Sequence, residues 1–345
     1  MKHLNLVLIA LALSVILMFI LIVGPGTEEP LSDKGKPQAV KTDSANINAE
    51  TEEPVEEEQP LEYGFNLKYS KYLIEAPYTY TVNGEERCFQ FDLMRQKINE
   101  AEQTIKKYRL TYIDNYKNRN GMAPKYQGEE IDRFGNERSA AAPAYENINN
   151  LEELIYIVDG TLVEILEEDA DYTLIKVVGN DTEYSVPSQY IASDDCLEEL
   201  KKVIIVDRTN QNIATFEKED GAWNITSYSK ATTGKEGKYH QLTPLGFYYA
   251  IEKKPKFYYV KDGTDLIEGY APYAVRFTAG AYTHGVATAY KYAEDGTKID
   301  PGIKEFSSSI GTVPLSHKCV RNYTSHAKFI YDWYEHGKTI VIVIE

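Results

Sequence analysis

One thiol in this 345-residue chain sits among groups able to activate it. Cys319 lies in Ser316-His317-Lys318-Cys319-Val320-Arg321-Asn322, where two cations and two small polar side chains crowd the sulfur. Nearby positive charge favours thiolate over thiol, and the thiolate is the nucleophile. Upstream, Tyr282-Thr283-His284-Gly285 supplies an imidazole beside a glycine that permits close backbone approach. Cys319 is therefore the candidate nucleophile, with His284 a second histidine upstream of it. An odd number of cysteines, three here, suggests a reactive centre or intermolecular pairing in an exported protein. Cys88 and Cys196 have ordinary surroundings and are either bridged to each other in an oxidising exterior or free. His240, His326 and His336 lack a partner pattern and read as surface or structural. The histidines near Cys319 lack zinc-site spacing with a second Cys, so neither a metal nor another cofactor is implied.

The elements that must carry these residues are mainly strands. From Lys201 onward the chain reads as β-rich: Val203 to Val206 opens it and Thr339 to Ile344 closes it. Phe247 to Ile251, Phe257 to Val260 and Val275 to Thr278 are further strand candidates, and Ser325 to about Glu335 reads as a helix stopped by Gly337. This sets a catalytic domain at 200–345. Between 140 and 195, short strands (Leu154 to Val158, Thr161 to Leu166, Tyr172 to Val178, Glu183 to Val186) are separated by turn signals at Asp159-Gly160 and Gly179-Asn180, which suggests a small barrel. Residues 63–139 form an α/β region without an assigned task. It holds one amphipathic helix, expected from Phe91 to about Tyr116, after short strands around Tyr72 and Tyr78 with a tight turn at Asn83-Gly84.

The N-terminus is of another kind. An apolar run from Leu6 to Val23, broken only by Ser14, follows Lys2 and precedes acidic residues. It is expected to be an uncleaved transmembrane anchor at 1–24, with the N-terminus cytoplasmic; a cleaved signal peptide is the alternative. Residues 25–62 hold eleven acidic residues against three lysines, half of the net charge of -16. Such a segment buries too little apolar area to offset its entropy and reads as a disordered acidic tether. The charge argues against wide contact with nucleic acid, which needs clustered Lys and Arg. Twenty-eight tyrosines against eleven phenylalanines fit half-buried sheets more than any particular ligand.

His284-Gly285 followed by Ser316-His317-Lys318-Cys319-Val320-Arg321 resembles the active-site signature of the L,D-transpeptidases, the YkuD-like catalytic domain, whose pattern is His-Gly, a variable insert, then Ser/Thr-His-Gly-Cys-x-Arg or Asn. Val206 to Gln211 is similar to that family's opening strand. Thr232-Thr233-Gly234-Lys235 with Leu242-Thr243-Pro244-Leu245-Gly246-Phe247 is similar to its TG…TPxGxF stretch. Phe329 to Trp333 and Gly337 to Val341 are like its last helix and strand, so about 140 residues follow the family's order. Lys318 departs from the pattern, which has Gly there, and the thirty-one-residue insert before Ser316 looks long and suggests a lid. The stretches Ile157 to Val163, Lys176-Val177 and Val186 to Ile191 resemble a bacterial SH3-like domain.

The resemblance implies a cysteine acyltransferase forming peptidoglycan cross-links through an acyl-enzyme on a stem tetrapeptide, facing the cell wall from the membrane. Peptidoglycan stem peptides would be its partners; the oligomeric state is open. Cys319 is the implied nucleophile and His284 the base, its ring oriented by a carbonyl near Gly285. Backbone N–H groups of Lys318 and Cys319 would hold the oxyanion. Arg321 would meet a substrate carboxylate or anchor the loop, while Ser316 and His317 shape the site. Three other readings compete: an L,D-carboxypeptidase using water, a sortase-like transpeptidase, and a catalytically silent wall-binding protein. The sortase reading is disfavoured, because that family has Leu-x-Thr before its Cys and its Arg further downstream.

Overall fold

The computed structural model describes residues 63–193 and 196–345, so the expected anchor and acidic tether lie outside the described residues. Among the described residues no helix is long and apolar enough to cross a membrane. The described chain is mainly β.

It opens with a short strand β1 (Tyr63–Phe65) and the hairpin β2 (Thr79–Val82) and β3 (Glu85–Cys88). Asn83 and Gly84 both have positive φ (52° and 87°), the mirror-image turn that matches strand twist. Tyr72, expected in a strand, instead sits in a turn with φ of 60°. Helix α1 runs only over Phe91–Ile105 and buries Met94, Ile98 and Ala101. The expected extension to Tyr116 fails because Arg109–Tyr112 is a strand, β4, that pairs with a later one and buries Leu110 and Tyr112. Tertiary pairing outweighs local helix preference there.

Next come β5 (Ala141–Tyr145), β6 (Leu154–Val158), β7 (Leu162–Glu168), β8 (Tyr172–Val177) and β9 (Glu183–Pro187). With β4 they form a six-stranded antiparallel sheet in the order β4-β7-β8-β9-β5-β6. Ala142, Ile157, Val163, Ile175 and Val186, one from each of five strands, share one apolar core.

The remaining chain builds the larger sheet, a helix and a separate small hairpin: β10 (Lys202–Asp207), β11 (Asn212–Glu219), β12 (Ala222–Thr232), β13 (Gly246–Tyr249), β14 (Glu252–Val260), β15 (Ile267–Thr278), β16 (Ala281–His284), β17 (Thr288–Ala289), the separate hairpin β18 (Lys291–Tyr292) and β19 (Lys298–Ile299), β20 (Val320–Asn322), helix α2 (Thr324–Trp333) and β21 (Thr339–Ile344). Its order is β13-β21-β10-β11-β12-β20-β16-β15-β14, with β1 added to β12 and β17 to β15. The apolar runs of β10 and β21 are continuous because both faces are covered. Val203, Ile205, Ile340 and Ile342 face one core, with Met94 and Ile98 of α1; Ile204, Val206, Val341 and Val343 face the other, with Ile330 and Trp333 of α2. The region left without a task thus supplies a helix and a strand to the large sheet.

The two sheets meet at the turn between β6 and β7. Tyr249 N donates to Gly160 O at 2.9 Å, and Tyr112 stacks on Tyr249 with ring centroids 4.7 Å apart. A side chain on Gly160 would run into the Phe277 carbonyl at 2.0 Å, so only glycine allows this approach. Beside this junction lies a cleft of about 570 Å³ lined by Tyr112, Asp114, Tyr116, Glu252, Lys254 and Arg276 among others.

Candidate active site

Strands β16 and β20 run parallel, pairing Thr283 with Val320 and His284 with Arg321. Side chains alternate along strands, so paired residues share a face. Continuing that register by one residue sets Cys319 against Tyr282, and Cys319, Arg321, Tyr282 and His284 point to the same side. The 35-residue separation between His284 and Cys319 is closed by this single pairing.

The His284 ring is buried and its Nδ1 lies 2.5 Å from Gly285 O, so Nδ1–H donates to that carbonyl and Nε2 keeps the free lone pair. This is the orientation that the family resemblance implies. Burial holds His284 down, to about 4, against the pull of that hydrogen bond, so the ring is neutral. Gly285 N donates to Pro272 O at 2.8 Å, and a Cβ there would meet Thr324 Oγ1 at 2.8 Å; the His-Gly corner needs its glycine for space.

Cys319 is 7% exposed and packs against Ala274, Tyr282 and Phe257; its Sγ donates to Gly280 O at 3.6 Å. Phe257 stacks on Tyr282 (4.3 Å) and lies 6.3 Å from the His284 ring, so the sulfur and the imidazole share an aromatic wall. Here the structure corrects the sequence reading. Burial pushes the thiol up to about 11, outweighing the Tyr282 N–H, Lys318 and Arg321, which all pull it down. The resting pair is a neutral thiol beside a neutral imidazole, not a preformed thiolate.

Lys318 is mostly buried, and desolvation lowers its pKa. It is absent from the residues with positive φ, so it bears no left-handed strain in the place where the family has Gly. Arg321 donates from Nη1 to Ser309 Oγ at 3.2 Å, while its buried Nε has no partner. Ser316 Oγ donates to the Cys319 carbonyl and its N–H to Thr233 O at 3.1 Å, holding the catalytic loop's shape. His317 points outward, with Nε2 2.7 Å from Asp262 Oδ1. Of the sequence candidates, Cys319, His284, Gly285, Arg321 and Lys318 therefore gather at one place and Ser316 supports them from the loop, while His317 turns away. Cys88 and Cys196 are both free, which closes the disulfide alternative.

Sequence reasoning missed the residues that come from the smaller sheet. Asp159, fully buried, accepts four N–H bonds: Asn115 and Tyr116 on Oδ1 (2.9 and 3.0 Å), Arg276 and Ala279 on Oδ2 (2.6 and 3.0 Å). Burial pushes its carboxyl up while Arg276 and the Asn115 N–H pull it down; with four donors and no acceptor against its oxygens, the anion is the form the geometry accommodates. Ala279 precedes the carbonyl that receives the Cys319 thiol, and the Tyr116 hydroxyl lies 3.4 Å from where a side chain on Gly280 would begin. In the sequence Asp159 shows only as half of a turn signal.

Residues 201–343 match the L,D-transpeptidase catalytic domain, YkuD. No curated protein sequence matches the chain. Solved structures similar to it include a fused Zn-dependent amidase/peptidase/peptidoglycan-binding protein from Clostridium acetobutylicum, at 19% identity over 42% of this chain and 52% of that one, TM-score 0.29. An L,D-transpeptidase from Mycobacterium smegmatis is similar at 18% identity over 53% and 82%, TM-score 0.31. Mycobacterium tuberculosis L,D-transpeptidase 1 is similar at 12% identity over 71% and 90%, TM-score 0.29. The chain thus spans about half the length of the first of these. The assignment rests on the sequence match and its ordered motifs, not on these structural scores. Residues 201–343 are an L,D-transpeptidase catalytic domain of the YkuD family.

Proposed function

We propose that the chain is a cysteine-dependent peptidoglycan L,D-transpeptidase. The observation that carries this reading is the β16–β20 pairing, which sets His284 and Cys319 on one face with the His284 Nε2 lone pair uncommitted. As Sγ attacks the carbonyl after the third residue of a donor stem peptide, Nε2 takes the thiol proton. The neutral resting pair makes proton transfer accompany attack, not precede it. The oxyanion is held by the N–H groups of Lys318 and Cys319, a contribution of several kcal/mol when pre-organised. Collapse breaks the peptide bond, the His284 imidazolium returns its proton to the departing D-residue amine, and a thioester remains. An acceptor amine attacks that thioester and loses a proton to His284; Sγ leaves and is reprotonated, and a new amide cross-link has formed. Arg321, with its unpartnered Nε on the same face, is suited to a substrate carboxylate.

Water in place of the amine would make the same site an L,D-carboxypeptidase. Incubating the protein with a stem tetrapeptide, with and without an acceptor amine, separates the two. A cross-linked dimer supports the transferase; shortened monomer alone assigns the hydrolase; neither product favours a silent wall-binding protein. The smaller sheet, in its likeness to SH3-like modules, would then serve as a docking partner for the catalytic sheet. The apolar run at Leu6–Val23 is proposed as the anchor that keeps the catalytic domain outside the cytoplasmic membrane.

A further inference from the structure

Three side chains that the reaction does not use converge on the outer side of the catalytic loop. His317 Nε2 lies 2.7 Å from Asp262 Oδ1, and the His240 ring stacks on His317 with centroids 3.9 Å apart and planes 17° from parallel. One donor atom from each of the three lies within 4.8 Å of the others. They come from separate parts of the fold: His240 from the segment joining β12 to β13, Asp262 from the turn between β14 and β15, and His317 from the loop that carries Cys319. Their spacing of 22 and 55 residues matches no local ligand motif, which is why sequence spacing alone hides them.

The backbones beneath the two imidazoles are fixed. Gln241 N donates to His317 O at 2.7 Å, Lys235 N to Ser316 O at 3.1 Å and His240 N to Gly237 O at 3.0 Å. The Asp262 turn is closed by Thr264 N on Lys261 O at 3.0 Å. The ligand side chains, by contrast, are at least partly exposed. We propose that His240, Asp262 and His317 bind one divalent cation of the zinc class, stapling the β14–β15 turn and the 235–241 segment to the catalytic loop.

Two imidazoles and one carboxylate form a mixed nitrogen and oxygen set that suits zinc, whereas magnesium and calcium take oxygen ligands. Zinc holds such donors at about 2.0–2.2 Å, so donors in a tetrahedral set stand roughly 3.3 Å apart. The His317–Asp262 bond therefore opens by about half an ångström, and the His240 ring turns so that a nitrogen faces the ion. Neither change moves the backbone. A fourth position stays open to water. Because His317 is two residues from Cys319, an occupied site ties down the loop that must admit the donor peptide. On the transpeptidase reading, occupancy slows acylation.

The test is calorimetric titration of zinc chloride into the metal-stripped, untagged full chain. The background is Cys319→Ala, so that the catalytic thiol is not itself the ligand. The expected result is one site of micromolar affinity in Cys319→Ala, weakened at least tenfold by adding either His240→Ala or Asp262→Asn, with magnesium giving no comparable binding. Circular dichroism confirms that each variant is folded; Asp262→Asn changes no bulk and guards against a misfolded His240→Ala. Absence of zinc binding in Cys319→Ala overturns the proposal, as does binding that survives both ligand substitutions or that magnesium matches. No turnover is read, so this outcome is independent of whether the transpeptidase reading holds.

Discussion

Replacing Asp159 by Asn tests how the smaller sheet is tied to the catalytic one. Both Asp159 oxygens receive only donors: two backbone N–H groups on one side, and Arg276 with the Ala279 N–H on the other. An asparagine keeps the shape but presents one NH2, so whichever way the amide turns, two donors face a donor. The Arg276 guanidinium, 4% exposed at its side chain, loses its main counter-ion and keeps only the half-exposed Glu252 at 3.0 Å. Breaking one partner of a buried ion pair costs about 3–5 kcal/mol, and the surviving Glu252 contact points to the lower end, about 3 kcal/mol. At about 2.1 cal/mol/K of unfolding entropy per residue, a chain of this size loses roughly 4–5 °C of Tm. Urea unfolding with a common m-value reads the same quantity. A cycle with Arg276→Ala and the double variant should show the pair's losses falling well short of additive. A loss below about 1 kcal/mol would refute the argument, because ordinary surface substitutions lie near that range.

Other outcomes follow from the buried titratable groups. With the Cys319 thiol pushed up to about 11, iodoacetamide modification of Cys319 in EDTA should keep accelerating above pH 9, and a plateau below pH 7 would show a preformed thiolate. His326 is fully buried against Ser227 Oγ and held down to about 3 by burial alone. Its folded pKa lies below its unfolded one, so the native state binds fewer protons and stability is lost as pH falls from about 6.5 toward 3. His326→Leu should reduce that slope by about 1.4 kcal/mol per pH unit, and an unchanged slope would refute the assignment. Lys318→Gly should relieve no strain, lower stability by about 0.5–1 kcal/mol and slow Cys319 alkylation at pH 8. A more stable variant would mean that Lys318 is strained after all.

The larger sheet and its two candidate residues, Cys319 and His284, were legible because their signals are local. The unbroken apolar runs at 203–206 and 340–344 declare strands buried on both faces, and the His-Gly and Ser-His-Lys-Cys segments carry their chemistry in a few neighbouring letters. What was not legible depends on contacts distant in sequence. Leu110 fits a helical stripe, yet pairing with β7 makes it a strand residue. The cations around Cys319 suggested a thiolate, but the depth of the sulfur, which charge spacing does not report, reverses the shift. Asp159 looks like an ordinary turn aspartate until Asn115, Tyr116, Arg276 and Ala279 are brought to it from both sheets.

The central claim is that Cys319 becomes acylated by a stem peptide. Intact-mass spectrometry of the protein mixed with a stem tetrapeptide should show an adduct equal to the tripeptide acyl group, with release of the terminal D-residue. That adduct should disappear in Cys319→Ala and form far more slowly in His284→Ala. An adduct that persists in Cys319→Ala, or none on a folded wild-type protein, would contradict the account.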